Sequence, residues 1–115
     1  MAKQFVLYNL KDDKKEEDFV KWLNEFKGPF VTGLSAVKRY TLTTVKRAVQ
    51  AKGGPPGPVE SPYKLVAVVE LTSLEDYAKD TETQPYKEEF MPQFASWVKD
   101  FLILQADEFY DKESD

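Results

Sequence analysis

The chain has 115 residues, a net charge of −4 at neutral pH, and neither cysteine nor histidine. Its length, with 42% hydrophobic and 14% aromatic residues, suits one domain built on one core. Lacking His and Cys, it offers no imidazole base, no Ser-His-Asp triad, no thiolate nucleophile, no disulfide, and no His- or Cys-ligated zinc or haem, and its acidity argues against nucleic acid or an anionic membrane as partner.

The first strand is Gln4 to Asn9, where Phe5, Val6, Leu7 and Tyr8 form a β-prone run that ends at the polar cluster Lys11 to Lys15. That run is too short, and too soon interrupted by Asp12 and Asp13, for a signal peptide. No later stretch approaches membrane-spanning length, so a cytoplasmic location is expected. From Glu16 to Phe26, the residues Phe19, Trp22, Leu23 and Phe26 recur at i, i+3, i+4 and i+7 on one face of a helix, which Gly28-Pro29 is expected to stop. The second strand, about Ser35 to Lys46, carries Lys38, Arg39 and Lys46 among β-branched residues, charges that suit a sheet edge. Residues 48–62 read AVQAKGGPPGPVESP, and the run Gly53 to Pro56 predicts a mobile loop there instead of a helix or strand.

The third strand is Lys64 to Leu71, apolar on both faces. Thr72 or Ser73 then caps a short helix from Leu74, with Glu75 and Asp76 in its first turn where the helix dipole favours negative charge. After a break around Thr81 to Gln84, helix resumes at Pro85, with Phe90, Phe94, Trp97 and Val98 at helical spacing and Pro92 kinking or restarting it. The fourth strand is Phe101 to Gln105, and residues 110–115 form an acidic, frayed tail.

This order of elements predicts an α+β domain over residues 1–115 with the β-α-β-β-α-β ferredoxin-like plan. Right-handed crossovers put both helices on one face of a four-stranded antiparallel sheet. Strands one, three and four nevertheless read as apolar on both faces, and no helix is left over for the second. A second copy packed sheet to sheet about a two-fold axis is the economical cover, so a homodimer is expected. In the third strand, Val66 and Val68 share one face, and Leu65, Ala67 and Val69 the other.

Polar groups set among apolar strand residues mark a lined pocket, and here they are Asn9, Arg39, Glu70 and Gln105, with Tyr8 and Tyr40 as amphipathic companions. In a purely structural role the same residues sit at strand ends or on an edge in water, and Arg39 and Glu70 could form an ion pair in either case. Trp22, Phe26, Phe90, Phe94 and Trp97 lie on the inward stripes of the helices. They serve as core, and would equally line a cleft between helices and sheet. The adjacent acidic pairs, such as Glu75/Asp76 and Glu88/Glu89, diverge by about 100° on a helix and do not converge on an ion, so no metal site is expected. The glycines form no phosphate-binding pattern, and no cofactor is expected. The third strand also lacks the Gly and paired aromatics with which an RNA-recognition sheet stacks bases.

The segments QFVLYNL, GPFVTGLSAVKRYTL and SPYKLVAVVEL, the TET of Thr81 to Thr83 and the closing FLIL resemble the REDY-like family across most of residues 4 to 109. That family is named for proteins encoded with prodigiosin-type pigment biosynthesis and belongs to the dimeric α/β-barrel superfamily. The resemblance implies two ferredoxin-like subunits packed through their sheets. It also implies company that includes cofactor-free monooxygenases, haem-degrading enzymes and proteins without known activity. The histidine on which haem-binding members depend is absent here. Residues and resemblance together point to a small-molecule binding protein or cofactor-independent enzyme. Its ligand would be an apolar or aromatic, polyketide- or pigment-like metabolite held between helices and sheet by Tyr8, Asn9, Trp22, Arg39, Tyr40, Glu70, Phe94, Trp97 and Gln105. The alternative is a noncatalytic dimeric interaction or regulatory module.

Overall fold

Strand β1 (Ala2–Leu10) alternates between buried and half-buried residues along almost its whole length, as a strand does when its two faces meet different surroundings. The computed structural model describes residues 1–50, 53–55 and 57–114. Along the chain follow α1 (Glu16–Trp22), a π-helical stretch Leu23–Lys27 and α2 (Gly28–Thr32), then β2 (Val37–Thr44), β3 (Ala48–Gln50), β4 (Gly57–Val59) and β5 (Leu65–Leu71). The chain continues with α3 (Leu74–Thr81), a second π-helical stretch Pro85–Phe90, α4 (Met91–Trp97) and β6 (Val98–Asp107). The main sheet is antiparallel in the order β2-β5-β1-β6. This is the ferredoxin-like arrangement, and it puts the charged strand β2 at an edge, as its lysines and arginine predict.

The register separates the two faces. Tyr8, Val6, Gln4 and Ala2 of β1 and Leu65, Ala67, Val69 and Leu71 of β5 are buried beneath the helices. The opposite face carries two apolar rows across the sheet, Leu104↔Phe5↔Val68↔Thr41 and Leu102↔Leu7↔Val66↔Thr43. Beside them runs a polar row, Ala106↔Lys3↔Glu70↔Arg39, in which Arg39 and Glu70 are register partners without an ion pair among the described residues. Between Leu7↔Leu102 and Asn9↔Lys99 the pairing bulges, with Asp100 and Phe101 opposite Tyr8. Asp100 absorbs the extra residue at φ 54°, a left-handed conformation that Asp tolerates better than most side chains.

Helix does not stop at Gly28-Pro29, as the sequence suggests, but runs on to Thr32. The first π-helical stretch ends at Lys27, and Gly28 donates its N–H to the Leu23 carbonyl five residues back. The wider turn moves the carbonyl with which a proline ring otherwise collides, so Pro29 is carried inside the helix. The same device precedes Pro92, where the second π-helical stretch ends at Phe90 and α4 begins at Met91. Ser73 caps α3 by accepting from the Asp76 N–H at 2.9 Å. Val98, expected on the last helical stripe, instead begins β6, which extends from Val98 to Asp107 with its Val98 end buried under the helices.

Residues 48–62 hold more order than a bare loop, because β3 and β4 pair as a two-stranded antiparallel ribbon with Val49 opposite Pro58. Pro58 is tolerated there because a two-stranded ribbon has free edges that need no proline N–H. Residues 51, 52 and 56 of this segment, and residue 115 of the tail, lie outside the described residues. Just past β6 the chain meets the N-terminus, where the Glu108 N–H donates to the Met1 carbonyl at 3.1 Å. Among the described residues, no helix is long and apolar enough to cross a membrane.

Candidate functional site

On α1 and its continuation, residues four apart stack on one face, and Phe19, Leu23, Lys27 and Val31 form such a column against the sheet. Three of these are apolar, and the fourth places an amine in the core. Lys27 is 4% exposed. Its Nζ donates to the Tyr8 hydroxyl at 3.2 Å. It also lies over three aromatic rings, 4.5 Å from the centroid of Phe94, 5.1 Å from Tyr8 and 5.2 Å from Tyr40. No carboxylate approaches it within 4.0 Å among the described residues. Desolvation without a counter-ion disfavours the ammonium and lowers the Lys27 pKa to about 7.

The hydroxyls around the amine are shifted the other way. Burial pushes Tyr8 up, reinforced by Tyr40 beside it, and pushes Tyr40 up to about 12. The Tyr40 Oη is buried without a hydrogen-bond partner among the described residues. It lines a cavity of about 40 Å3 together with Lys27, Gln4, Tyr77, Tyr86 and Phe94. On the far side of this cavity the Gln105 side-chain amide donates to Gln4 Oε1 at 2.9 Å, and Gln4 Nε2 donates to the Tyr77 hydroxyl at 3.3 Å. Tyr77 is raised by burial and by Tyr86.

A second, larger hollow opens one layer further along the same seam. It is a groove of about 1050 Å3 at the end of the sheet, with walls of Phe19, Val20 and Leu23 from α1 and its continuation, Leu42 from β2 and Leu65 from β5. Three of the wall residues have counterparts at the cavity one repeat deeper: Lys27 follows Leu23 by a helical turn, while Tyr40 and Ala67 are two strand positions from Leu42 and Leu65. The outer groove is a lined, open site, and the inner cavity is a small, mostly apolar pocket into which Lys27, Gln4 and three tyrosines contribute polar groups.

The sequence candidates divide accordingly. Tyr8, Tyr40 and Phe94 converge on Lys27, and Gln105 reaches the same cavity through Gln4. Asn9 stands at the groove rim and braces it, donating to the Pro62 carbonyl at 2.8 Å and accepting from the Lys64 N–H at 2.9 Å. Trp22 and Trp97 pack with ring centroids 5.8 Å apart and planes tilted by 31° on the seam between α1 and α4, and Trp22 Nε1 donates to Gln93 Oε1. Arg39 and Glu70 belong to the polar row on the face away from the helices. Lys27 itself escapes a sequence reading that ends the helix at Gly28. Extending the stripe through Pro29 to Val31 finds it as the one charged residue in an apolar column.

Compared with known proteins, residues 2–109 match the family model described as REDY-like protein HapK. No curated protein matches the chain. Among solved structures, HapK from Hahella chejuensis superposes with a TM-score of 0.70 at 16% identity, over 100% of this chain and 99% of that one. Hydroxynitrile lyase from Passiflora edulis gives 0.69 at 12% identity, over 96% of each chain. A dimeric ferredoxin-like protein of unknown function from Thermobifida fusca gives 0.61 at 10%, over 91% of this chain and 88% of that one. At such identities the superpositions carry the fold and not the chemistry.

Proposed function

Because this chain belongs to the REDY-like HapK family, we propose that it binds an apolar or aromatic small molecule, of polyketide or pigment-like character, in the seam between α1 and the sheet, and acts on it without a cofactor. The observation that carries this reading is the groove of about 1050 Å3, in which an apolar strip of Phe19, Val20, Leu23, Leu42 and Leu65 is rimmed by charged and polar residues such as Glu16, Lys64 and Lys99, and which lies one repeat along the seam from the buried amine and phenol groups. A ligand would lay its apolar body against Phe19, Leu23, Leu42 and Leu65 and direct a polar end inward. That a protein of this fold works as a hydroxynitrile lyase is support by analogy only.

The same reading includes a two-fold homodimer packed through the sheet face that carries Phe5, Leu7, Val66, Val68, Leu102 and Leu104. Leu102 and Leu104 are 42% and 47% exposed in the single chain, and the related Thermobifida fusca protein is described as dimeric. The assembly could also be the functional object in itself, which keeps a noncatalytic interaction module as the second reading.

Thermal-shift screening against aromatic and polyketide-like compounds tests the first. Hits should raise the melting temperature, and Val20→Glu, at an exposed wall position, should shrink those shifts without changing the unliganded melt. A screen in which no compound stabilises the protein would leave the interaction module as the reading.

A further inference from the structure

Asp80, another buried charged residue, is engaged by the Ser35 hydroxyl at 2.7 Å and the Ala36 N–H at 2.8 Å, and Gln4 is held by Tyr77 and Gln105. Lys27 is held differently, with its amine over the rings of Phe94, Tyr8 and Tyr40. Among the described residues its one hydrogen bond goes to Tyr8, it faces a cavity, and the Tyr40 phenol, without a hydrogen-bond partner among those residues, faces the same cavity. We propose that Lys27 is the nucleophile of a carbonyl-binding site, its amine adding to an aldehyde or ketone ligand in the α1–sheet seam to form an imine. This rests on the seam being the ligand site, and it names the ligand class.

Among the described residues, the titratable groups facing the amine and its cavity are phenols: Tyr8 from β1, Tyr40 from β2, Tyr77 from α3 and Tyr86 from the second π-helical stretch. Burial raises all four, so they stay neutral at physiological pH and serve as proton donors. A lysine with a pKa of about 7 is about half unprotonated at pH 7, against about 0.03% for an ordinary lysine. In the first step the Nζ lone pair attacks the carbonyl carbon, forming a C–N bond and opening the C=O π bond. The oxygen takes a proton from a tyrosine hydroxyl, and the nitrogen returns one. The carbinolamine then loses its hydroxyl and a nitrogen-bound proton as water, leaving the imine. Amine and carbonyl give imine and water, with no oxidant or reductant required. The cavity, at about 40 Å3, has room for a carbonyl-sized group, and its largely apolar lining disfavours the water that would hydrolyse the imine.

The full-length protein, incubated at pH 7 with benzaldehyde and sodium cyanoborohydride and mapped by peptide mass spectrometry, tests this. The expected result is a benzyl adduct on Lys27 that forms at least about ten-fold faster than on the surface lysines, with the N-terminal amine as internal reference. Lys27→Met should lose that adduct, and Tyr8→Phe, which keeps the ring and removes the hydroxyl, should slow it. A Lys27 that stays unmodified while the N-terminus and surface lysines react overturns the proposal. Melting curves with 2-naphthol, an aromatic without a carbonyl, separate the two readings. Stabilisation by naphthol with Lys27 unmodified removes the imine and leaves the seam as a binding site, whereas no stabilisation and no adduct removes both.

Discussion

Burial sets the Lys27 pKa at about 7 in the fold, against 10.5 for an ordinary lysine, and this difference ties stability to pH. Below pH 7 the amine is protonated in both states, and the fold bears the full cost of a desolvated ammonium. Between about 7 and 10.5 the unfolded chain binds more protons than the native one, so stability rises with pH, by up to about 1.4 kcal/mol per unit. Tyr8, Tyr40 and Tyr77 act in the opposite sense above about pH 10, where the unfolded chain ionises its phenols first. Urea unfolding of the wild type should therefore show midpoints that climb from pH 6.5 to 9, while Lys27→Met should be flatter and, at pH 6.5, more stable by roughly 1–3 kcal/mol. Wild-type midpoints that do not change over this range would mean that the ammonium is not desolvated. Asn9 offers a plainer case. Asn9→Ala removes both bonds that brace the Pro62–Lys64 rim and should cost about 1–2 kcal/mol, read as a lower melting temperature. Tyr8, Tyr40 and Phe94 could be picked out in the sequence because amphipathic or aromatic residues at strand and helix periodicity mark inward positions. Lys27 could not, because nothing local distinguishes a buried lysine from the solvated ones around it once the helix is thought to end beside it.

Helix α1, its π-helical stretch and α2 depend on a close approach at Gly28, where an added Cβ would sit 2.8 Å from the Leu23 carbonyl oxygen. That oxygen is the acceptor of the Gly28 N–H. Gly28→Ala must therefore distort the wide turn that lets Pro29 remain in the helix, and it should destabilise by about 1–3 kcal/mol. It should also disturb the placement of Lys27 immediately before it, so the pH dependence of unfolding should weaken along with stability. Gly53→Ala serves as the contrast: it meets nothing within 4 Å, and only its φ of 75° resists the change. A destabilisation by Gly28→Ala no larger than that of Gly53→Ala would count against the turn. The strands were legible because β1 and β5 are apolar runs bounded by charge and by turn residues, and the edge position of β2 was legible in its lysines and arginine. The β3–β4 ribbon was not, since Gly and Pro suppress the propensity signal and the pairing of Val49 with Pro58 is a tertiary choice.

At the scale of the molecule, the register resolves an ambiguity that alternation alone leaves open. Ala67 is 1% exposed beneath the helices, whereas Val68 stands in the apolar row on the opposite face. Ala67→Glu should abolish the cooperative melt by burying an unpaired charge in the core. Val68→Glu should keep the melt of the single subunit but reduce the light-scattering mass from dimer to monomer. A wild type that is monomeric at micromolar concentration would sink the assembly. The same register shapes how the chain reaches its fold. β1 lies between β5 and β6, so Ala2 pairs with Leu71 on one side and with Asp107 on the other. During synthesis β1 can meet β5 well before its second neighbour exists. A nascent chain thus presents the open edge of β1, with Phe5 and Leu7 uncovered, until nearly the last residues emerge. A product that terminates before Val98 is accordingly not a shorter version of the domain but a three-stranded sheet in which β1 is left as an open edge, suited to capture by a chaperone or by the edge of another such chain.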